Sequence, residues 1–289
     1  MLDIVDVPQS RQAQSLSRSG FHQIAYRDWG RETDKRPLMC IHGLTRNSHD
    51  FDDLAARACI DRRVVTPDIV GRGRSEWLAD PADYNLLQYN VDMTVVAADA
   101  GISRYDWIGN SLGGLIGMSL AGVENSPISR LVVNDIAPEI PFSALRRVSS
   151  YIADRTFPNI AVAEAHLRES LAPFGPMTDD NWRHLARTSV IPEGDGYRLA
   201  FDPGIFENFR RYWLIVHFSL WKYWEQIKCP VLILRGENSD FLTPNLLDKM
   251  VSRLPHADVI EFPGVGHTPT LNAPEQIEPV LDWLNSDLI

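Results

Sequence analysis

The 289-residue chain has little cysteine and no excess of basic residues. Cys40, Cys59 and Cys229 are an odd number of cysteines, far apart and without a C-x-x-C pair. This pattern is typical of free, buried thiols in a reducing compartment and not of a disulfide framework. The 28 Lys and Arg residues are outnumbered by 38 Asp and Glu residues, which gives a net charge of −10. Because phosphate binding needs clustered Lys and Arg, we expect no nucleic-acid partner and no anionic membrane partner.

The sequence also lacks long hydrophobic runs. None approaches the roughly 18 apolar residues of a membrane-spanning helix, and the first residues lack the apolar core of a secretory signal peptide. We therefore expect a soluble, cytoplasmic protein. No histidine or cysteine cluster has the spacing of metal ligands, and no glycine pattern fits a dinucleotide, so the sequence predicts no metal and no cofactor.

What the sequence does contain is an alternation of short apolar runs with helical segments, which predicts an α/β fold with a mostly parallel, covered sheet. We interpret residues 1–18 as a loose polar tail and residues 21–28 as an edge strand. The buried strands are predicted at residues 38–42, 63–66, 105–108, 131–135, 231–236 and 259–262.

The alternation is interrupted between residues 142 and 225. This stretch reads as helical segments broken by proline and glycine, without strand-like runs, and it holds more than half of the chain's aromatic residues. We therefore predict that residues 142–225 are a helical cap, or lid. It would be inserted into a core formed by residues 1–141 and 226–289.

The most informative motif is G-N-S-L-G at residues 109–113, which follows a strand-like run and precedes a helical one. In that setting G-x-S-x-G predicts a nucleophile elbow, a sharp turn that presents a serine oxygen above the sheet. Ser111 is therefore the candidate nucleophile, and it needs a base and a carboxylate that orients the base.

His267 is the candidate base, because it lies in a glycine-bracketed loop after the last predicted strand and before the last helix. Asp240 is the preferred acid, since it follows strand 231–236 and precedes His267 in the chain. Asp135, which closes the strand after the elbow helix, remains an alternative, and Glu237 is a weaker third candidate.

The backbone N–H groups of Leu44 and Leu112 are predicted to hold the oxyanion, because Leu112 follows the nucleophile and Leu44 follows strand 38–42. We interpret His42 as a residue that supports the loop containing Leu44. Asp68 and the glycine-rich turn at residues 71–75 are likewise interpreted as structural.

Together these ordered motifs resemble the α/β-hydrolase superfamily, and in particular bacterial lidded serine esterases and carbon–carbon hydrolases. The resemblance covers about residues 21–140 and 229–289 and implies an α/β-hydrolase fold. Relatives that open epoxides or displace halide have aspartate at the elbow, so a serine there implies acyl transfer. The resemblance implies no cofactor.

We predict a carboxylic-ester hydrolase, with a small-molecule ester as its partner and a monomeric or homodimeric state. The substrates would be small or medium apolar esters, lactones or polyester oligomers. One alternative is carbon–carbon hydrolysis of a ring-fission product, which would need a basic group such as Arg46, Arg146, Arg147, Arg210 or Arg211 for the substrate carboxylate. Another is a low-turnover small-molecule receptor. The predicted pocket rings are Trp182, Phe206, Trp213 and Phe218, although any single ring could belong to the core of the cap.

Overall fold

The computed structural model describes residues 7–141, 144, 155–208 and 218–286. Its strands, in chain order, are β1 (Gln9–Ser17), β2 (Gly20–Trp29), β3 (Leu38–Ile41), β4 (Val64–Pro67), β5 (Tyr105–Asn110), β6 (Ile128–Asn134), β7 (Thr156–Phe157), β8 (Val190–Glu193), β9 (Gly196–Leu199), β10 (Val231–Gly236) and β11 (Ala257–Phe262). Its α-helices are α1 (Asp52–Ala58), α2 (Leu86–Asp99), α3 (Leu112–Ala121), α4 (Ile160–Ser170), α5 (Asp179–Thr188), α6 (Gly204–Asn208), α7 (Trp221–Trp224), α8 (Pro244–Arg253) and α9 (Pro274–Asn285). Short 3₁₀ turns lie at Ser48–Phe51, Pro81–Asp83 and Ala172–Phe174.

An eight-stranded sheet forms the centre of the molecule, with the strand order β1-β2-β4-β3-β5-β6-β10-β11. The pairs β1/β2 and β2/β4 are antiparallel, and every other neighbouring pair is parallel. The central strands are short apolar runs because both of their faces are covered. In β3, for example, Met39 and Ile41 face one core cluster, while Leu38 and Cys40 face the other. The predicted α/β class, a mostly parallel sheet flanked by helices, is confirmed.

The amino-terminal segment differs from its prediction as a polar tail. Residues 9–17 form β1, which pairs along its full length with β2, so that β1 and not β2 is the edge strand. Ala13, Ser15 and Ser17 are buried, and the residues between them are exposed. Since two of the three buried residues are serines, the alternation has little hydrophobic contrast, which explains why the sequence pattern did not indicate a strand.

The stretch between β6 and β10 also differs from a purely helical cap. Its described part contains α4 and α5, but also a three-stranded antiparallel sheet of β7, β9 and β8. The β8–β9 hairpin turns at Gly194 and Asp195, and Gly194 has φ +56°. A two-residue turn containing glycine at positive φ is a hairpin signal, so the G-D-G sequence at residues 194–196 could have predicted these strands.

Within the described residues, no helix has the length and apolar character that crossing a membrane requires.

Candidate active site

Ser111 lies between β5 and α3 in a strained backbone conformation, with φ 49° and ψ −108°. This turn is possible only because the neighbouring glycines have no side chains. A Cβ on Gly109 would lie 2.2 Å from the backbone of Gly113, and a Cβ on Gly113 would lie 2.1 Å from the carbonyl oxygen of Ile41. A strained serine held by close backbone contacts has the geometry of a nucleophile elbow.

His267 lies in the loop between β11 and α9, and its ring contacts the elbow serine. The distance from Nε2 to Ser111 Oγ is 3.0 Å. The ring of Phe241 stacks on the imidazole with a centroid separation of 3.8 Å and an angle of 15°. The imidazole is therefore fixed within reach of the Ser111 hydroxyl proton.

The carboxylate next to His267 is that of Asp135, which corrects the expectation that Asp240 would occupy this position. Asp135 Oδ2 lies 2.7 Å from His267 Nδ1, and the Asp135 side chain is completely buried. Asp240, by contrast, is exposed. Since β6 and β10 are parallel neighbours, an acid that follows either strand lies at the same edge of the sheet. Which of the two acids contacts His267 is therefore decided by the three-dimensional arrangement of the two loops.

Two further groups hold the Asp135 carboxylate. Its Oδ1 accepts a hydrogen bond from the Gly236 N–H at 2.9 Å, and its Oδ2 accepts one from the Ser239 hydroxyl at 2.6 Å. The loop after β10 thus supplies Ser239 as a donor to the acid, whereas the sequence had suggested that it supplies the acid. We find no sequence signal that would have identified Ser239.

Leu44 and Leu112 both line the cavity that contains Ser111 and His267. Leu112 is the first residue of α3, so its N–H has no acceptor within the helix. The turn containing Leu44 is held from behind, because Arg72 Nε donates to the Leu44 carbonyl at 2.9 Å. Both predicted oxyanion donors therefore lie on fixed backbone beside the serine.

His42 supports the same turn from a fully buried position. Its Nδ1 donates to the Gly43 carbonyl at 2.8 Å, and its Nε2 accepts from the Ile69 N–H at 2.9 Å. The pKa of His42 is lowered to about 3, chiefly by burial; the charges of Arg72 and Arg46 act in the same direction, and the Gly43 hydrogen bond opposes them. A neutral ring with both nitrogens occupied is a structural residue, in line with the interpretation from the sequence.

Asp68 is likewise engaged with backbone. It accepts hydrogen bonds from the N–H groups of Ser48 and Arg74, at 2.7 Å and 2.9 Å. These contacts fix the glycine-rich turn and occupy both carboxylate oxygens of Asp68.

The cavity beside Ser111 has a volume of about 300 Å³. Its apolar wall comes from the core and from the segment between β6 and β10, and consists of Leu44, Leu112, Leu115, Ile140, Leu171, Phe174, Met177, Leu185 and Phe241. A small cavity with an apolar wall suits an acyl or alkyl group next to the serine.

The rings predicted to line the pocket are placed elsewhere, apart from one that lies outside the described residues. Trp182 is buried in a small cluster with Leu167 and Ala186. Phe206 packs edge-on against Phe201 in the main core, and Phe218 also packs against that core. Trp213 lies outside the described residues. Among the described Phe, Tyr and Trp residues of this segment, Phe174 is the one that lines the cavity.

Arg46 lines the cavity but its guanidinium is occupied. It pairs with Asp50, with NH2 to Oδ1 at 2.6 Å, and its NH1 donates to Ser189 Oγ at 2.5 Å. The arginines at positions 146, 147, 210 and 211 lie outside the described residues. Among the described residues that line the cavity, Arg46 is the only arginine, and its guanidinium is already engaged by Asp50 and Ser189.

Comparison with known proteins gives a consistent result. A sequence model described as the alpha/beta hydrolase family matches residues 38–280. The chain is 40% identical to a 3-hydroxybutyrate-oligomer hydrolase of Cupriavidus necator over 273 residues, which cover 91% of this chain and 93% of that protein.

Two solved structures are similar over nearly the whole chain. An alpha/beta hydrolase from Novosphingobium aromaticivorans has a TM-score of 0.84 and 33% identity, covering 95% of this chain and 98% of that one. A protein from Rickettsia typhi has a TM-score of 0.88 and 30% identity, covering 96% and 98% of the two chains.

Proposed function

Because the chain belongs to the alpha/beta hydrolase family, we propose that it is a serine hydrolase that cleaves carboxylic esters through an acyl-enzyme. The observation that carries this proposal is the connected set of Ser111, His267 and Asp135 beside an apolar cavity. The preferred substrates are small or medium apolar esters, lactones and polyester oligomers. The similarity to a 3-hydroxybutyrate-oligomer hydrolase supports the last of these, because such oligomers are joined by ester bonds.

The first half-reaction forms the acyl-enzyme. Ser111 Oγ attacks the ester carbonyl carbon while His267 Nε2 takes the hydroxyl proton. Asp135, on Nδ1, holds the imidazole in the required tautomer and stabilises the imidazolium. The negative oxygen of the tetrahedral intermediate is held by the N–H groups of Leu44 and Leu112. His267 then gives its proton to the departing alcohol oxygen as the ester bond breaks.

The second half-reaction restores the enzyme. His267 takes a proton from a water molecule that attacks the acyl carbon, and the same backbone donors hold the second oxyanion. The proton then passes from His267 to Ser111 Oγ, and the carboxylic acid leaves. The segment formed by residues 142–225 acts as a lid in this proposal, supported by the cavity wall that Leu171, Phe174, Met177 and Leu185 provide.

The proposal is tested by replacing Ser111 with alanine and measuring turnover of p-nitrophenyl butyrate and of 3-hydroxybutyrate dimers. We expect kcat to fall by about 10⁴-fold or more, because the nucleophile and its base act as a unit. A fluorophosphonate probe should label the wild-type protein at Ser111 and leave the Ser111→Ala protein unlabelled.

The same assays distinguish the alternatives. Failure on all esters together with turnover of a dienone acid would favour carbon–carbon hydrolysis. An unmodified Ser111, or an unchanged rate in the Ser111→Ala protein, would overturn the enzymatic proposal and favour a receptor.

A further inference from the structure

Two histidines and an aspartate meet at the rim of the cavity, although the sequence gives them no metal-ligand spacing. His49 lies in the 3₁₀ turn Ser48–Phe51, Asp52 begins α1, and His184 lies on α5. The first two belong to the core and the third to the segment between β6 and β10. All three line the cavity that contains Ser111.

One nitrogen of each imidazole contacts the same carboxylate oxygen of Asp52. Asp52 Oδ2 lies 2.8 Å from His49 Nδ1 and 3.0 Å from His184 Nε2. One potential ligand atom from each residue lies within 4.8 Å of the other two. A zinc ion with bonds near 2 Å keeps its tetrahedral ligands roughly 3.3 Å apart, so small side-chain shifts would place all three atoms around one ion.

Both positively and negatively charged side chains lie around His49, Asp52 and His184. Arg27 donates to Asp52 Oδ1, the other carboxylate oxygen, and its NH1 lies 3.2 Å from His49 Nδ1. Asp53 and Asp180 line the same cavity, and Asp180 pairs with Arg183 at 2.5 Å. The Arg27 contact with Oδ1 neutralises part of the Asp52 charge and leaves Oδ2 to the two imidazoles.

An ion could enter this group, because its side chains are only partly covered. His49, Asp52 and His184 have 33%, 19% and 49% of their side chains exposed. Water from the open side would supply a fourth ligand to a bound ion. Two imidazole nitrogens and one carboxylate oxygen with an open position form a donor set suited to zinc and similar divalent transition metals.

We propose that His49, Asp52 and His184 form a binding site for a divalent transition metal of the zinc class. A bound ion would join α5 to the core at the rim of the cavity, and so fix the segment between β6 and β10 next to the entrance. The site is separate from the Ser111, His267 and Asp135 set, and its occupancy does not depend on the proposed ester hydrolysis.

The test is a zinc titration of the full, metal-stripped protein by calorimetry, with His184→Gln as the test variant and His256→Gln as the matched control. His256 is exposed and lies outside the three-residue group. We expect the wild-type and His256→Gln proteins to bind one tight equivalent. In His184→Gln we expect zinc affinity to fall by at least about 10- to 100-fold. Mutating a residue that merely hydrogen-bonds a metal ligand already costs this much, and loss of a ligand itself should cost no less.

Two more readouts follow the same site without using activity. Zinc should raise the Tm of the wild-type and His256→Gln proteins but not that of His184→Gln, because binding only to the folded state stabilises it. Cobalt should give a visible absorption band that is lost in His49→Gln. The proposal is overturned if the wild-type protein binds no zinc at submillimolar concentration, which would leave the group as an ion-pair network. It is equally overturned if His184→Gln binds zinc as tightly as the control.

Discussion

The acid beside His267 shows how much depends on a single side chain. Asp135 is fully buried, accepts from the Gly236 N–H and the Ser239 hydroxyl, and lies 2.7 Å from His267 Nδ1. A buried carboxylate is stable only when donors surround it, and here three donors do so. Asp240, which lies in the loop after β10, is exposed.

At the residue scale we therefore predict effects of very different size for two conservative substitutions. Asp135→Asn should lower kcat for p-nitrophenyl butyrate by about 10⁴-fold, since the amide favours the wrong imidazole tautomer. Asp240→Asn, which is isosteric in the same way, should change kcat by less than tenfold because it leaves Nδ1 and its partner intact. The assignment of Asp135 would be withdrawn if Asp240→Asn produced the larger loss at an unchanged Tm.

At the scale of secondary structure, β1 is the element whose contribution is least evident from composition. It pairs with β2 from Gln9 to Ser17, and its inward residues pack against the core, with Ala13 fully buried. Its stability comes from the ladder of backbone hydrogen bonds and from this covered face, and not from β-propensity.

Neighbouring residues of β1 provide a matched test. Ala13→Asp should lower the free energy of unfolding by about 3–5 kcal/mol, because it places an unpaired charge in the core. Gln14→Asp, whose side chain is exposed on the opposite face, should change it by no more than about 0.5 kcal/mol. Urea denaturation measures both values, and equal small effects would show that residues 9–17 do not pack as a strand.

At the scale of the whole molecule, the buried histidine beneath the active-site turn links stability to pH. The pKa of His42 falls from 6.5 to about 3 on folding, chiefly through burial. The unfolded chain therefore binds a proton that the folded protein excludes. Stability from this residue is fully present above pH 6.5 and is lost as pH falls toward 3.

Replacement of His42 with asparagine isolates this contribution. Between pH 6.5 and pH 3 the wild-type protein should lose about 1.4 kcal/mol per pH unit more than His42→Asn, which is the linkage for one proton. Urea denaturation at several pH values measures the two slopes, with His256→Gln as the control that should follow the wild type. Parallel slopes for wild type and His42→Asn would contradict a neutral, buried His42.

The amino-acid sequence by itself determined the α/β class, the elbow at Ser111 and the selection of His267. These features depend on local patterns: short apolar runs for covered strands, glycines at positions where a Cβ would collide, and a histidine between glycines after the last strand. Local sequence specifies local backbone, so such features can be predicted without a partner segment.

Only the tertiary structure decided which carboxylate reaches His267 and which histidines meet Asp52. Asp135 and Ser239 follow different strands, and they come together because β6 and β10 are neighbours in the sheet. His184 approaches Asp52 only because α5 packs against the rim of the core. Contacts between distant segments depend on strand order and packing, which spacing along the chain does not encode.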